Sequence, residues 1–346
     1  MKREFLMFSC NLLKRVALAT LVVSSTAATS YVVGEESAQA VPIVDQQPWD
    51  GTLSDYFDDE GGEPWITVRA GALTLHKSDN QSHVLLSDQA TGQPYLTTSD
   101  TTPGWTAGAE IDFFLRLSDD LFFEFDWFTI GAWSRQHNAD LNGATVNIGF
   151  PIDGASFATN QQFKNYEFNL RRRLTDDFTV LAGFRYIELN DAFHIHYDAS
   201  SAGITEDGTV GAFNRLYGFQ IGSQGTFLRY GGWQLDGWVK SGIFGNSAGN
   251  STQVVLNGVG VTLPPFEARK SDASFVGDLG LRASRQLGNH IQLYGGYRIM
   301  FVDGVALGAN QYNNVSTFFS GAGPVSMVTN GSQFYHGAEL GLIFSY

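Results

Sequence analysis

Two sets of residues in this 346-residue chain have the types and spacing to do chemistry. The first is the stretch FHIHYD, where His194 and His196 stand two apart. On an extended strand both would point to one face, an acceptable arrangement for two metal ligands. Asp191 and Asp198 flank them, and a carboxylate beside an imidazole can activate water for hydrolysis. A polar hairpin explains the same residues without a metal or a reaction, and we adopt it. No catalytic residue, metal site or cofactor is therefore assigned, and the chain is read as a non-enzyme. The acidic run Asp58-Asp59-Glu60 lacks the spacing of a dedicated calcium loop and is read as solvated.

The second set is a group of charges placed at even intervals within apolar stretches. It comprises Glu110, Asp112, Glu124, Asp126, Glu167, Asp236, Asp278 and Glu339, set against Arg69, Arg116, Arg171, Arg185, Lys240, Arg282 and Arg298. Rows of opposed charge across a water-filled channel select ions. In a narrow channel the same charges pair off and plug it.

Such a set needs walls of strands to hold it, and the sequence has the matching period of two. In GWTAGAEIDFFLRLSDD one face reads Trp105, Ala107, Ala109, Ile111, Phe113, Leu115, and the other Glu110, Asp112, Phe114, Arg116. Successive strand residues point to opposite faces, so one face would meet lipid and the other a lumen. The unit recurs in four hairpins with turns near 119, 176, 228 and 287, separated by long polar stretches at 76–103, 135–161, 190–212, 245–271 and 303–332. With a first strand at 65–75 and a last at 333–346, ten strands are expected. Twelve are possible if loop segments such as Val254–Leu263 also enter the wall. The architecture predicted over 64–346 is all-β: a transmembrane antiparallel up-and-down barrel with short periplasmic turns and long extracellular loops. Within the basic triplet, Arg171 would join the lumen set while Arg172 and Arg173 reach to the membrane interface.

The ends carry addresses. Lys2, Arg3, Lys14 and Arg15 precede the apolar run Val16 to Val23, and Ala38-Gln39-Ala40 offers a cleavage site, so 1–40 reads as a cleaved Sec-type signal peptide. Residues 41–63 hold seven acids and no Lys or Arg, and read as an acidic periplasmic lead-in. At the other end Ala338, Leu340, Leu342, Phe344 and Tyr346 form one apolar face ending on an aromatic residue, the expected insertion signal for barrel-assembly machinery. Cys10, the only cysteine, leaves with the signal, which removes disulfides and thiolate metal sites from the rest. Glycine at 39 residues and aromatics at 14% suit a barrel wall with turns and girdles, and charge at 16% is low for a soluble domain. Without 1–40, which hold four Lys or Arg and three Glu, the net charge is −15, which disfavours nucleic acid.

The stretch LRRRLTDDFTVLAGFRYIELND (170–191), with GALTLHKSDNQSHVLLSDQATG, GYRIMFVDGVALG and FYHGAELGLIFSY, resembles the outer-membrane β-barrel porins of the beta-barrel porin-7 type over roughly 65–346. The resemblance implies an outer-membrane barrel with a pore and no catalytic residues. The expected function is constricted passage of small solutes or ions through the Gram-negative outer membrane. The alternative is a structural or adhesive barrel with a salt-bridged, plugged lumen and surface-exposed binding loops. The expected partners are outer-membrane lipid, the assembly machinery and small solutes.

Overall fold

A computed structural model of the chain describes residues 64–78, 84–146, 151–258, 261–262, 266–311 and 327–346. The expected signal peptide and acidic lead-in lie outside the described residues.

Ten long strands form the wall: β1 (Ile66–Ser78), β4 (Trp105–Arg116), β5 (Leu121–Thr145), β6 (Pro151–Thr175), β7 (Phe178–Ala199), β8 (Ile204–Tyr230), β9 (Trp233–Asn257), β11 (Phe266–Gln286), β12 (Ile291–Val305) and β13 (Gly331–Ser345). Each pairs antiparallel with the next, and β13 pairs with β1 from Phe334–Ser78 to Ser345–Thr67, closing the ring. Closure leaves no open edge among the paired segments, as a membrane-spanning sheet requires. Short elements accompany the long strands. A hairpin, β2 (Val84–Ser87) with β3 (Pro94–Thr97), and the helical turn α1 (Thr98–Thr101) lie between β1 and β4. Strand β10 (Val261–Thr262) folds back on Leu256 and Val255 of β9, so among the described residues the stretch 254–263 extends β9 and adds a two-residue strand but no further long wall strand.

Two expectations need correction. The turn placed near 228 falls at Gly231-Gly232, where both residues have positive φ, 59° and 80°. Glycine alone adopts that pair freely, and the resulting tight turn suits the twist of a hairpin. The polar stretches 135–161, 190–212 and 245–271 are not long loops. They are mostly strand, since β5 to β9 and β11 run for 21 to 27 residues each. The wall is thus tall on six strands and short on β1, β4, β12 and β13, which have 12 to 15 residues.

The outer face explains why the tall part escaped an apolar pattern. Near the short turns it is apolar: on β6, Leu174, Leu170, Phe168 and Tyr166 point outward, and Phe219 and Ile243 are 76% and 74% exposed. Further along the same face, β6 presents Lys164, Gln162 and Asn160. The apolar zone is therefore about 9–11 residues high, the length of a transmembrane β-strand. The tall strands continue beyond it by about 10–18 residues, on the order of 25–45 Å at normal strand rise and tilt.

Candidate functional site: the filled interior of the ring

Inward-facing residues fall into layers, because every second residue of each strand reaches the axis. On β7 the inward series is Arg185, Ile187, Leu189 and Asp191; on β13 it is Glu339, Gly337, Tyr335 and Gln333. Reading from the short turns outward, the order is charged, then apolar, then polar.

The charged layer gathers fourteen of the fifteen residues singled out for the lumen. Arg69 pairs with Asp112 at 2.6 Å, Arg171 with Glu124 at 2.8 Å, and Arg282 with Glu339 at 2.6 Å. Arg298 lies within reach of three carboxylates, Asp278 at 3.2 Å, Asp126 at 3.4 Å and Glu110 at 4.0 Å. Lys240 meets Glu167 at 2.8 Å and Asp126 at 3.6 Å, and Arg185 meets Glu167 and Asp278, each at 3.4 Å. Asp236 has neutral donors instead, Thr226 Oγ1 at 2.7 Å and Gln234 Nε2 at 2.9 Å. Burying these ions is tolerable because thirteen of the fourteen have an opposite charge within 4.0 Å and Asp236 is held by neutral donors.

Arg116 is the exception and corrects the expectation. It sits at the end of β4 and pairs with Asp119 of the adjoining turn at 2.6 Å, where the aspartate side chain is 92% exposed. The alternation of faces put it on the inward side correctly, but alternation says nothing about depth. Of the triplet, Arg171 enters the network, Arg173 lies over the Phe122 ring at 5.1 Å, and Arg172 is exposed.

Neutral residues that the sequence reading passed over complete the network. Asn165, Asn169 and Gln220 donate to Glu167, and Asn169 also donates to Glu124. Tyr294 Oη donates to Glu110 at 2.6 Å and Trp238 Nε1 to Asp278 at 3.1 Å. The guanidinium groups also stack on rings, Arg298 on Phe128 at 4.7 Å and Arg282 on Trp238 at 4.9 Å. The signal that could have found these residues is their position in the same period-two phase as the charges.

Above the charges lies a layer that a hydrated channel would lack. Leu73, Leu75, Phe128, Ile130, Trp133, Phe163, Leu189 and Tyr335 point inward and are fully buried in one cluster. Phe128 stacks on Phe163 at 5.5 Å, Trp133 on Tyr335 at 5.6 Å, and Phe163 meets Tyr335 edge-on at 5.3 Å. A bulge in β5 between Ile130 and Trp133 adds one residue to the strand, so that both of these can face inward.

The mouth is covered in turn. Leu85, Leu86 and Leu96 of the β2–β3 hairpin are buried against Phe157, Phe193, Ile195 and Val210 on the inner face of the tall wall. The hairpin's own turn is fixed by Asp88, whose carboxyl is held below its usual range by hydrogen bonds from the Thr91 amide and hydroxyl. On the opposite side Thr329 donates to Asp272 at 2.6 Å, and Lys270 pairs with the same carboxylate at 2.9 Å. These contacts hold that carboxyl far below its ordinary range.

The FHIHYD residues do not converge. Asp191 points inward and takes the Gly308 amide at 2.9 Å, whereas His194, His196 and Asp198 face outward. His196 Nδ1 is bonded to Asp207 at 2.7 Å and His194 Nδ1 to Thr209 at 3.1 Å, each across the β7–β8 pair. The four residues cannot share a water or a metal. At the C-terminus, Ala338, Leu340, Leu342 and Phe344 lie on the outward face of β13, and Tyr346 stacks on His290 at 5.4 Å.

No protein-family model matches the sequence, that of the porin-7 type included, and no curated protein matches it. Among solved structures, the outer membrane protease OmpT from Escherichia coli has 12% identity and a TM-score of 0.47, over 81% of this chain and 96% of that one. The Ralstonia pickettii toluene transporter TbuX has 10% identity and a TM-score of 0.36, over 82% and 90%. The translocator domain of the autotransporter NalP from Neisseria meningitidis has 10% identity and a TM-score of 0.38, over 85% and 93%. At these identities and scores nothing about the activity of this chain follows from theirs.

Proposed function

We propose that this chain is an outer-membrane β-barrel of the Gram-negative envelope with a closed lumen, and that its function lies in the tall wall and covered mouth facing the cell exterior. The observation that carries this reading is the succession of charged, apolar and capped layers across the ring. A passage for solutes needs a hydrated path, and here the aromatic layer above the charges leaves none of its side chains exposed. Ten strands enclose little space to begin with, because eight leave room only for side chains. The structural or surface-binding alternative is therefore favoured over constricted passage. The test is conductance of the purified barrel in planar bilayers: none, or rare brief openings, is expected. A large and stable wild-type conductance would sink the reading.

The membrane placement has its own test, made on one face of one strand. Phe168→Arg puts a charge in the middle of the apolar belt and is expected to cost about 2–4 kcal/mol in refolding titrations into lipid. Asn160→Arg, eight residues further along β6 on the same face, should stay within about 0.5 kcal/mol. Equal costs would remove the belt from the membrane.

Export and insertion are part of the proposal. Cleavage after Ala40 gives a mature chain beginning at Val41, to be read by N-terminal sequencing. Tyr346 also closes the ring: its amide donates to Ile66 O at 2.9 Å and its carbonyl accepts from the Trp65 amide at 2.7 Å. Deleting Phe344-Ser345-Tyr346 is expected to abolish heat-modifiable barrel in the outer-membrane fraction. Normal levels in that strain would count against both the signal and the seam.

A further inference from the structure

On the outward face of β5 to β8 the strand register aligns three rows of side chains. Phe125, Phe168, Phe184 and Phe219 form a row inside the apolar belt, and Trp127, Tyr166, Tyr186 and Tyr217 form the next. Rings with a polar tip suit the boundary between membrane and water. The row beyond them is Thr129, Lys164, Glu188 and Arg215, one step of about 7 Å further along the strands and so at the level of lipid headgroups. Its one acid is already engaged: Tyr186 Oη donates to Glu188 Oε1 at 2.9 Å, and Lys164 Nζ lies 3.6 Å from Glu188 Oε2. Arg215, directly across from Glu188, is exposed and makes no hydrogen bond or ion pair among the described residues. Four residues below it on β8 stands Phe219, paired in register with Ile243 of β9, and both are strongly exposed. The other side of the barrel has no counterpart. On β1, β4, β12 and β13 the outward positions hold neither Lys nor Arg.

We propose that this row binds an anionic lipid whose headgroup ends in a phosphate, held by the Arg215 fork and Lys164, with its acyl chains over Phe219 and Ile243. The planar guanidinium offers two parallel N–H donors that match a phosphate group. Lys164 and Arg215 stand two strands apart, about 10 Å between Cα atoms, so their long side chains can converge on one headgroup. A choline headgroup would bring a cation against Arg215, and a sugar or glycerol alone would leave the guanidinium without a counter-charge. A fatty-acid carboxylate fits the fork but has one charge, whereas a terminal phosphate has a second to share with Lys164. The inference rests on the membrane placement proposed above and adds the lipid class and the residues that select it.

The test is lipid retention. The full chain is refolded into phosphatidylcholine vesicles containing a minor share of phosphatidic acid or of oleate, extracted in detergent, and its bound lipid counted by native mass spectrometry. Phosphatidic acid should be retained in preference to oleate and to phosphatidylcholine. Arg215→Gln should lower that retention about tenfold. Arg172→Gln, an exposed arginine near the short turns on β6, should leave it unchanged. If Arg215→Gln does not refold, the wild-type preference for phosphatidic acid over oleate decides. Equal retention of oleate and phosphatidic acid, or an equal loss in Arg172→Gln, means attraction by surface charge alone and overturns the inference. Excess inorganic phosphate should not displace the lipid; displacement would assign the row to the free anion and overturn the lipid reading. Failure to insert into any vesicle overturns the membrane placement together with this site, whereas insertion without retained phosphatidic acid overturns this site alone.

Discussion

Replacing Arg298 by Met is expected to destabilise the refolded barrel by about 3–5 kcal/mol, while Arg116→Ala changes its stability by no more than about 1 kcal/mol. Both are arginines on the inward side of wall strands, so the contrast isolates depth. Arg298 is buried to 2% exposure, lies within 4.0 Å of Asp126, Asp278 and Glu110, and covers the Phe128 ring. Its removal leaves three carboxylates short of a counter-ion in a region that the layer above closes to water. Met preserves much of the stem's packing, so the loss reports charge rather than a cavity. Arg116 gives up a pair with an exposed turn residue, where water replaces the partner. Urea unfolding midpoints in lipid vesicles measure both. Similar midpoints for the two variants would mean that the charged layer is already hydrated.

The second large effect concerns the aromatic layer. Phe163→Ala is expected to cost about 3–5 kcal/mol, the usual range for emptying a buried phenyl site. Phe163 is completely buried and bridges Phe128 and Tyr335 across the ring. The hole would join the charged layer below to the polar layer above, so ion openings should appear that the wild type lacks. Stability and conductance must therefore change together. A cost below about 1 kcal/mol with unchanged current would mean that the layer is loosely packed and does not seal the barrel.

Face assignments were legible from spacing alone wherever the outer surface meets an apolar medium. Ile111 and Phe113 alternate with Glu110 and Asp112 because lipid and network make opposite demands on neighbouring residues. The signal fails where water replaces lipid outside. On β6 beyond Lys164, outward Gln162 and Asn160 alternate with inward Gln161 and Thr159, so both faces are polar and the strand reads as a loop. The inner apolar layer was missed because inward was equated with polar, which holds for the charged layer and not for the one above it. The separation of Asp191 from His194 was readable: an odd spacing on a strand puts two residues on opposite faces. Depth, which divides Arg116 from Arg298, needs the register of neighbouring strands, and that is set by pairings between distant segments.

The β1–β13 seam has a consequence for the order of events in assembly. Most neighbouring wall strands are joined by short connections, and those pairings can form as local hairpins on a microsecond scale. The seam joins residues far apart in sequence, with Thr67 bonded to Ser345 across a separation of 278. Contacts of that range are slow to form, because the entropy of closing the intervening chain comes before any return. Until the last strand arrives, the inward charges border an open, wet sheet and each is solvated separately. Ring closure, dehydration of the ions and completion of their pairing must then coincide in one late, cooperative step. Refolding followed by tryptophan fluorescence and by heat-modifiability should accordingly separate in time, with hairpin burial first and the closed band last.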